Sequence, residues 1–138
     1  MTRLAHESDF AGAAPVHQAR RARGQMSHAA GMAAEGSVAE LYARQGYRLR
    51  DARWRGRRGE IDLVFDCGDG VVCVEVKKSK CFDRALASLG AAQVRRLFTA
   101  AEEYVGAMPR GSLTDIRFDL ALVDAQGQVR VMENAFAG

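Results

Sequence analysis

Gly59-Glu60-Ile61-Asp62-Leu63-Val64-Phe65, then Asp66-Cys67-Gly68-Asp69-Gly70, then Val71-Val72-Cys73-Val74-Glu75-Val76-Lys77-Lys78 form the stretch on which the fold turns. Ile61–Phe65 and Val71–Val76 are rich in residues that favour strands, and the five residues between them carry the turn chemistry of a hairpin. Side chains alternate along a strand, so Cys73, Glu75 and Lys77 share one face and Val72, Val74 and Val76 the other. Pairing about Gly68 sets Asp62 nearly opposite Glu75. A carboxylate inside an almost wholly apolar strand is costly to desolvate unless it is paired or holds a metal. Here two acids and a lysine converge. The plain alternative is a same-face ion pair between Glu75 and Lys77 on a half-exposed strand.

Outward from the hairpin, Tyr47–Trp54 reads as a strand, with Tyr47 and Leu49 inward and Ala52 and Trp54 as further inward candidates. Before it, good helix formers over Ala29–Gln45, with Met32, Val38, Leu41 and Tyr42 apolar and Gly46 at the end, predict an amphipathic helix. After the hairpin, Val94, Leu97, Phe98, Ala101, Tyr104 and Val105 recur at helical spacing within Gly90–Ala107, ahead of Pro109. Ile116–Val123 and Gln128–Met132 are two more strands about a turn at Asp124–Gly127. The order is αβββαββ over residues 28–138, an α/β domain preceded by a basic arm without stable structure at 1–27. Met26 lies near the start of organised sequence, so a start codon assigned too far upstream would equally explain the arm.

Composition narrows the chemistry. A chain of 138 residues, 48% hydrophobic and 27% charged, suits one folded domain. No apolar run reaches the ~20 residues of a membrane helix, and the N-terminus lacks a secretory apolar stretch, so a cytoplasmic protein without membrane contact is expected. Cys67, Cys73 and Cys81 lack zinc-type spacing and read as reduced thiols. His6, His17 and His28 all lie in the first 28 residues, which leaves the rest of the chain without an imidazole for Ser-His or Cys-His catalysis unless the tail folds back onto the body. No Gly-rich phosphate loop is present, which argues against a nucleotide cofactor.

The net charge of +3 conceals an asymmetry: residues 1–58 hold 11 basic against 5 acidic residues, and residues 59–138 hold 9 against 12. Arg44, Arg48, Arg50, Arg53, Arg55, Arg57 and Arg58 surround the single tryptophan, Trp54. Arginines beside an aromatic that can stack on a base suit nucleic acid; a solvated basic strand with a core Trp suits the same residues. Arg53, Trp54, Arg55, Arg57 and Arg58, with Lys78 and Lys80 beyond the hairpin, are the candidate nucleic-acid contacts.

Two carboxylates within a few ångströms repel unless one is protonated or a divalent cation lies between them. Mg²⁺ is held by one or two carboxylates with waters and phosphate oxygens completing its shell. Lys77 beside it would orient or deprotonate a water, or neutralise charge on phosphate. Asp62 and Glu75 are thus candidate ligands of Mg²⁺ or Mn²⁺ and Lys77 a candidate catalytic residue, for metal-assisted phosphodiester hydrolysis. Glu35 lies close to the apolar stripe of the first helix and faces either the core or the helix dipole as an ordinary first-turn acid. Glu60 reads as an ion-pair partner of Arg58, and Glu102 and Glu103 as a solvated face. Arg95 and Arg96 are outer-side charges within reach of phosphate, and Asn134 reads as a structural hydrogen-bonding residue.

From Gly31 to Phe136 the chain resembles the YraN family of small bacterial proteins, which are classed with endonucleases and are similar to Holliday-junction resolvases. The resemblance rests on Gly31-Met32-Ala33-Ala34-Glu35, Gly46-Tyr47-Arg48-Leu49, Trp54-Arg55, and Arg58-Gly59-Glu60-Ile61-Asp62-Leu63. It continues through Val74-Glu75-Val76-Lys77, Arg117-Phe118-Asp119 and Asn134-Ala135-Phe136. It implies a restriction-endonuclease-like three-layer fold, a mixed central sheet flanked by helices. It also implies a metal held by Asp62 and Glu75, Lys77 as the catalytic lysine, and Glu35 as the helix-borne acid completing the site. The sequence departs from the family pattern at Lys78 and Ser79, and at Asp83, Ala85, Ala87 and Gln93. The expectation is a metal-dependent endonuclease acting on DNA, with branched DNA a candidate substrate and a homodimer suited to cutting two strands. The alternatives are a nucleic-acid-binding or interaction module that keeps the fold without turnover, and a purely structural Asp62-Glu75-Lys77 triad.

Overall fold

The computed structural model describes residues 31–136. The arm expected at 1–27, and all three histidines, lie outside the described residues. Helix α1 covers residues 31–44 and is followed by β1 (Arg48–Arg55), β2 (Glu60–Cys67) and β3 (Gly70–Lys78). Helix α2 (Phe82–Gly106), a short 3₁₀ turn (Gly111–Leu113), β4 (Ile116–Val123) and β5 (Val129–Met132) complete it. The order αβββαββ is the one expected.

The five strands form one sheet in the order β1-β2-β3-β4-β5. Neighbours are antiparallel except β3 and β4, which run parallel. A parallel pair needs a long crossover, and α2 supplies it. The sheet is therefore mixed and sits between two helices, a three-layer α/β arrangement. On one face Ala34, Val38 and Tyr42 of α1 pack on Leu63, Phe65, Val72, Val74, Ala121 and Val123. On the other, Leu97, Ala100, Ala101, Tyr104 and Val105 of α2 pack on Val64, Val71 and Cys73. Strands apolar on both faces are what a covered central sheet requires, and Val71–Val74 are all buried.

The hairpin closes through Gly68 and Asp69, with Cys67 opposite Gly70 and Gly68 at φ 58°. Gly46, at φ 94°, ends α1 in the left-handed conformation that glycine tolerates. Two expectations are corrected. Leu49 is 46% exposed and Ala52 is exposed, not inward. Strand β1 is a sheet edge whose pairing slips between Leu49 and Asp51, and such a bulge disrupts alternation. The second helix begins at Phe82 rather than Gly90, and Gly90 itself is a non-helical joint (φ 70°, ψ 159°). Its first two turns, where Ala85 packs with Leu120 and Leu122, are too short to display a period of their own.

Candidate active site

Strand register assembles the site. Leu63 pairs with Val74, and one step further Asp62 stands beside Glu75. On the other flank of β2, Ala52 pairs with Leu63 and Trp54 with Ile61, so Arg53 stands beside Asp62. Glu75 lies on the same side of β3 as Cys73, the side covered by α2, and Lys77 follows it. The Lys77 Nζ is 3.8 Å from Glu75 Oε2. Asp62, Glu75 and Lys77 are thus gathered on one side of the sheet.

Glu75 is only 7% exposed. Burial, then the charge of Asp62, push its carboxyl up to about 8, with Lys77 pulling in the opposite direction. Asp62 is also raised, chiefly by burial, but it accepts the Val76 backbone N–H at 2.8 Å and a hydrogen bond from Glu75. A carboxylate that accepts two hydrogen bonds is the better anion of the pair, so burial and mutual charge favour the protonated form more strongly at Glu75 than at Asp62.

Glu35, on α1, is half-buried, and its carboxyl is raised by burial and by the Asp62 charge while Arg53 opposes both. Arg53 Nε lies 3.9 Å from Glu35 Oε1, and Arg53 itself has φ 56°. A non-glycine residue in that region is held there by its surroundings. The helix-borne acid is therefore electrostatically joined to the pair, though on the far side of Arg53.

A cleft of about 290 Å³ opens beside the pair, lined by Gly59, Glu60, Asp62, Glu75, Gln93, Arg96 and Leu97. Among the described residues no group of three or more His, Cys, Asp or Glu side chains is placed to hold a metal ion. The donors that fit one are Asp62 and Glu75: oxygen ligands that line the cleft and have only the Lys77 ammonium as positive compensation. Such a pair suits a hydrated hard cation, which takes few protein ligands. Cys73, two residues before Glu75, is a core thiol pushed up to about 12 by burial and supplies no ligand.

The other predicted residues are distributed around this centre. Trp54 is half-buried and meets Tyr104 edge-on at 5.2 Å, within the α2-side core. Its ring is also covered at Gly56, where a Cβ would come within 2.6 Å of it. Arg55, Arg57 and Arg58 are exposed on and after β1. Glu60 pairs with Arg55 at 3.0 Å and not with Arg58, because the two residues are cross-strand partners. Glu103 is not merely solvated: its carboxylate accepts the Arg57 backbone N–H at 3.0 Å. Lys78 alternates away from Lys77, and Lys80 lies on the following loop, whose carbonyl accepts a hydrogen bond from Arg130. Arg95 does not line the cleft, whereas Gln93, which the sequence marks only as a departure from the family pattern, and Arg96, one of the two outer-side arginines within reach of phosphate, do. Their spacing of three, next to the buried Leu97, is the signal that could have placed them together.

A mixed sheet between two helices, with an acid pair across β2 and β3 and a lysine on β3 beside a cleft under the crossover helix, defines an α/β protein with a polar site on the α2 face. Residues 34–123 match the family described as uncharacterised protein family UPF0102. The chain is 54% identical over 119 residues to the UPF0102 protein of Ruegeria pomeroyi, covering 86% of this chain and 97% of that one. With a UPF0102 protein of Roseobacter denitrificans the identity is 50% over 123 residues, 89% and 95% of the two chains. With one from Cereibacter sphaeroides it is 49% over 114 residues, 83% and 97%. The chain belongs to the UPF0102 family, the same family as the YraN resemblance.

Proposed function

We propose that this protein is a divalent-cation-dependent nuclease that hydrolyses DNA phosphodiester bonds. The observation that carries the reading is the pairing of half-buried Asp62 with buried Glu75 in the wall of an open cleft, where burial raises both carboxyls. Purely structural carboxylates would be fully hydrogen-bonded by protein groups. Asp62 and Glu75 would hold Mg²⁺ or Mn²⁺, which when bound supplies a more acidic water and charge neutralisation at phosphate.

The chain's own groups do the remainder. Lys77, beside Glu75, presents an ammonium to the cleft side of β3, where it stabilises charge that builds on phosphate oxygen and orders the attacking water. Glu35, beside Arg53, adds a further carboxyl to the electrostatics of the pair and raises Glu75. Arg55, Arg57 and Arg58 form an exposed basic margin next to Gly59 and Glu60 of the cleft, placed to meet the phosphate backbone. In hydrolysis, water adds to phosphorus, one bridging P–O bond breaks, and the departing oxygen takes a proton.

The test is cleavage of duplex, single-stranded and branched DNA with Mg²⁺ or Mn²⁺ by wild type beside Asp62→Ala, Glu75→Ala and Lys77→Ala. Wild type is expected to cut, and each variant to cut at least about 100-fold more slowly. Cutting that persists in all three variants would assign the activity to a contaminant. Salt-sensitive binding with no cutting under either metal would replace the nuclease by a binding module on the same fold.

A further inference from the structure

Asp62 and Glu75 form the sheet wall of the cleft; Gln93, Arg96 and Leu97 of α2 form the wall that faces it. Leu97 is buried at the helix–sheet contact, whereas Arg96 is exposed one position earlier. The Arg96 guanidinium donates to Gln93 Oε1 at 2.8 Å. None of the ion pairs among the described residues includes Arg96, although Glu60, Asp62 and Glu75 line the same cleft. Its partner is a neutral amide, a weaker acceptor for a guanidinium than an anion. A fork of donors is thus held across a gap from an acid pair without closing onto it.

The position of the Arg96 backbone relative to the segment leading into Asp62 is fixed by packing. At Gly59, three residues before Asp62, a Cβ would lie 2.8 Å from the Arg96 carbonyl oxygen and 3.3 Å from the Ala100 Cβ. Only glycine lets the start of β2 press this closely on α2 at Arg96 itself. Seven residues further along the same side of the helix, Glu103 holds the Arg57 N–H of the same turn. The turn is closed by the Gly56 N–H donating to the Gly59 carbonyl at 2.8 Å. Two contacts, two helical turns apart, therefore attach α2 to the segment that leads into Asp62.

We propose that Arg96 is the phosphate-gripping residue of this cleft: a non-bridging oxygen of a DNA phosphodiester replaces the Gln93 amide at the guanidinium, opposite Asp62 and Glu75. Gln93 keeps the fork ordered until the anion arrives. A planar guanidinium suits this role because it offers two parallel N–H bonds to one phosphate, which an ammonium does not. The assignment rests on the phosphodiester reading of the site and adds the group that holds the substrate.

The experiment measures binding of a short single-stranded oligonucleotide in Mg²⁺ across a salt series, in a Lys77→Ala background that prevents cutting. Arg96→Ala should weaken affinity and make the slope of log K against log salt shallower by about 0.7, the loss of one phosphate contact to a single strand. Arg95→Ala, on the exposed neighbour outside the cleft, should leave both unchanged, and Arg96→Lys should keep the slope. With Lys77 restored, Arg96→Ala should cut about 100-fold more slowly while Mg²⁺ still raises its thermal midpoint as in wild type. An Arg96→Ala slope equal to wild type, or an equal loss from Arg95→Ala, overturns the assignment whether or not the enzyme cuts. A wild type that cuts no DNA defeats the nuclease reading alone, and the slope still decides Arg96.

Discussion

Two buried acidic centres occupy opposite faces of one sheet, and their contrast separates architecture from chemistry. On the α1 face, Asp119 is fully buried, and its carboxylate accepts hydrogen bonds from the Tyr42 hydroxyl (2.6 Å) and the Asn134 N–H (3.0 Å). Arg117 adds a bidentate pair at 2.9 and 2.8 Å, its guanidinium 5.5 Å above the Tyr47 ring. Every lone pair has a protein donor, and the groups come from α1, β4 and the turn after β5. On the α2 face, Asp62 accepts one backbone N–H and a hydrogen bond from Glu75, and Lys77 lies 3.8 Å from Glu75. Both centres withdraw carboxyls from water, but only Asp119 is bonded from several elements at once. A carboxylate so bonded ties elements together, whereas a pair bonded largely to itself beside an open cleft leaves oxygens for a ligand.

The contrast is broken first at Asp119. Asp119→Ala leaves Arg117 half-buried without its partner and frees the Tyr42 hydroxyl, and should cost about 3–5 kcal/mol. That loss would show as a fall of roughly 10 °C or more in thermal midpoint. An Asp119→Ala protein as stable as wild type would mean that the cluster is ornamental.

Glu75→Gln tests the opposite face and should move stability the other way. The folded Glu75 binds its proton more tightly than the unfolded chain does, with a carboxyl near 8 against the ordinary 4.5. Its contribution is therefore fully present below about pH 4.5 and is lost as pH rises through about 8. In metal-free buffer the wild-type midpoint should fall between pH 6 and 9. Glu75→Gln should flatten that fall and match or exceed wild type at pH 9, while losing the proposed nuclease activity. A wild-type midpoint level across this range would remove the strained pair from the account.

The smallest effect is ligand linkage. Mg²⁺ at ten times its Kd should stabilise wild type by about 1.4 kcal/mol, more at pH 8.5 than at pH 6.5, because Glu75 must release its proton. Asp62→Ala should show no such gain. Equal shifts in wild type and Asp62→Ala would locate the cation elsewhere.

The hairpin was legible because its information is local: alternation and a two-residue turn force Asp62 beside Glu75, and the register bears this out. The helices were legible in kind because their apolar stripes are, except that the joint at Gly90 concealed the opening turns of α2. Leu49 and Ala52 were misplaced because a bulge is invisible to a period of two. Asn134 acts through its backbone, held at φ 55°, so its side chain carried no signal of the bond it makes.

Residue order alone dictates which groups share a strand or helix face, because those periods follow from backbone geometry. It therefore specified the acid pair, the lysine and the amphipathic helices. Which faces then meet depends on how the layers pack: a crossover carries α2 over the sheet, and Gly59 sets how closely it lies. Arg96 reaches the cleft, and Asp119 finds donors from three distant segments, only once those layers have closed.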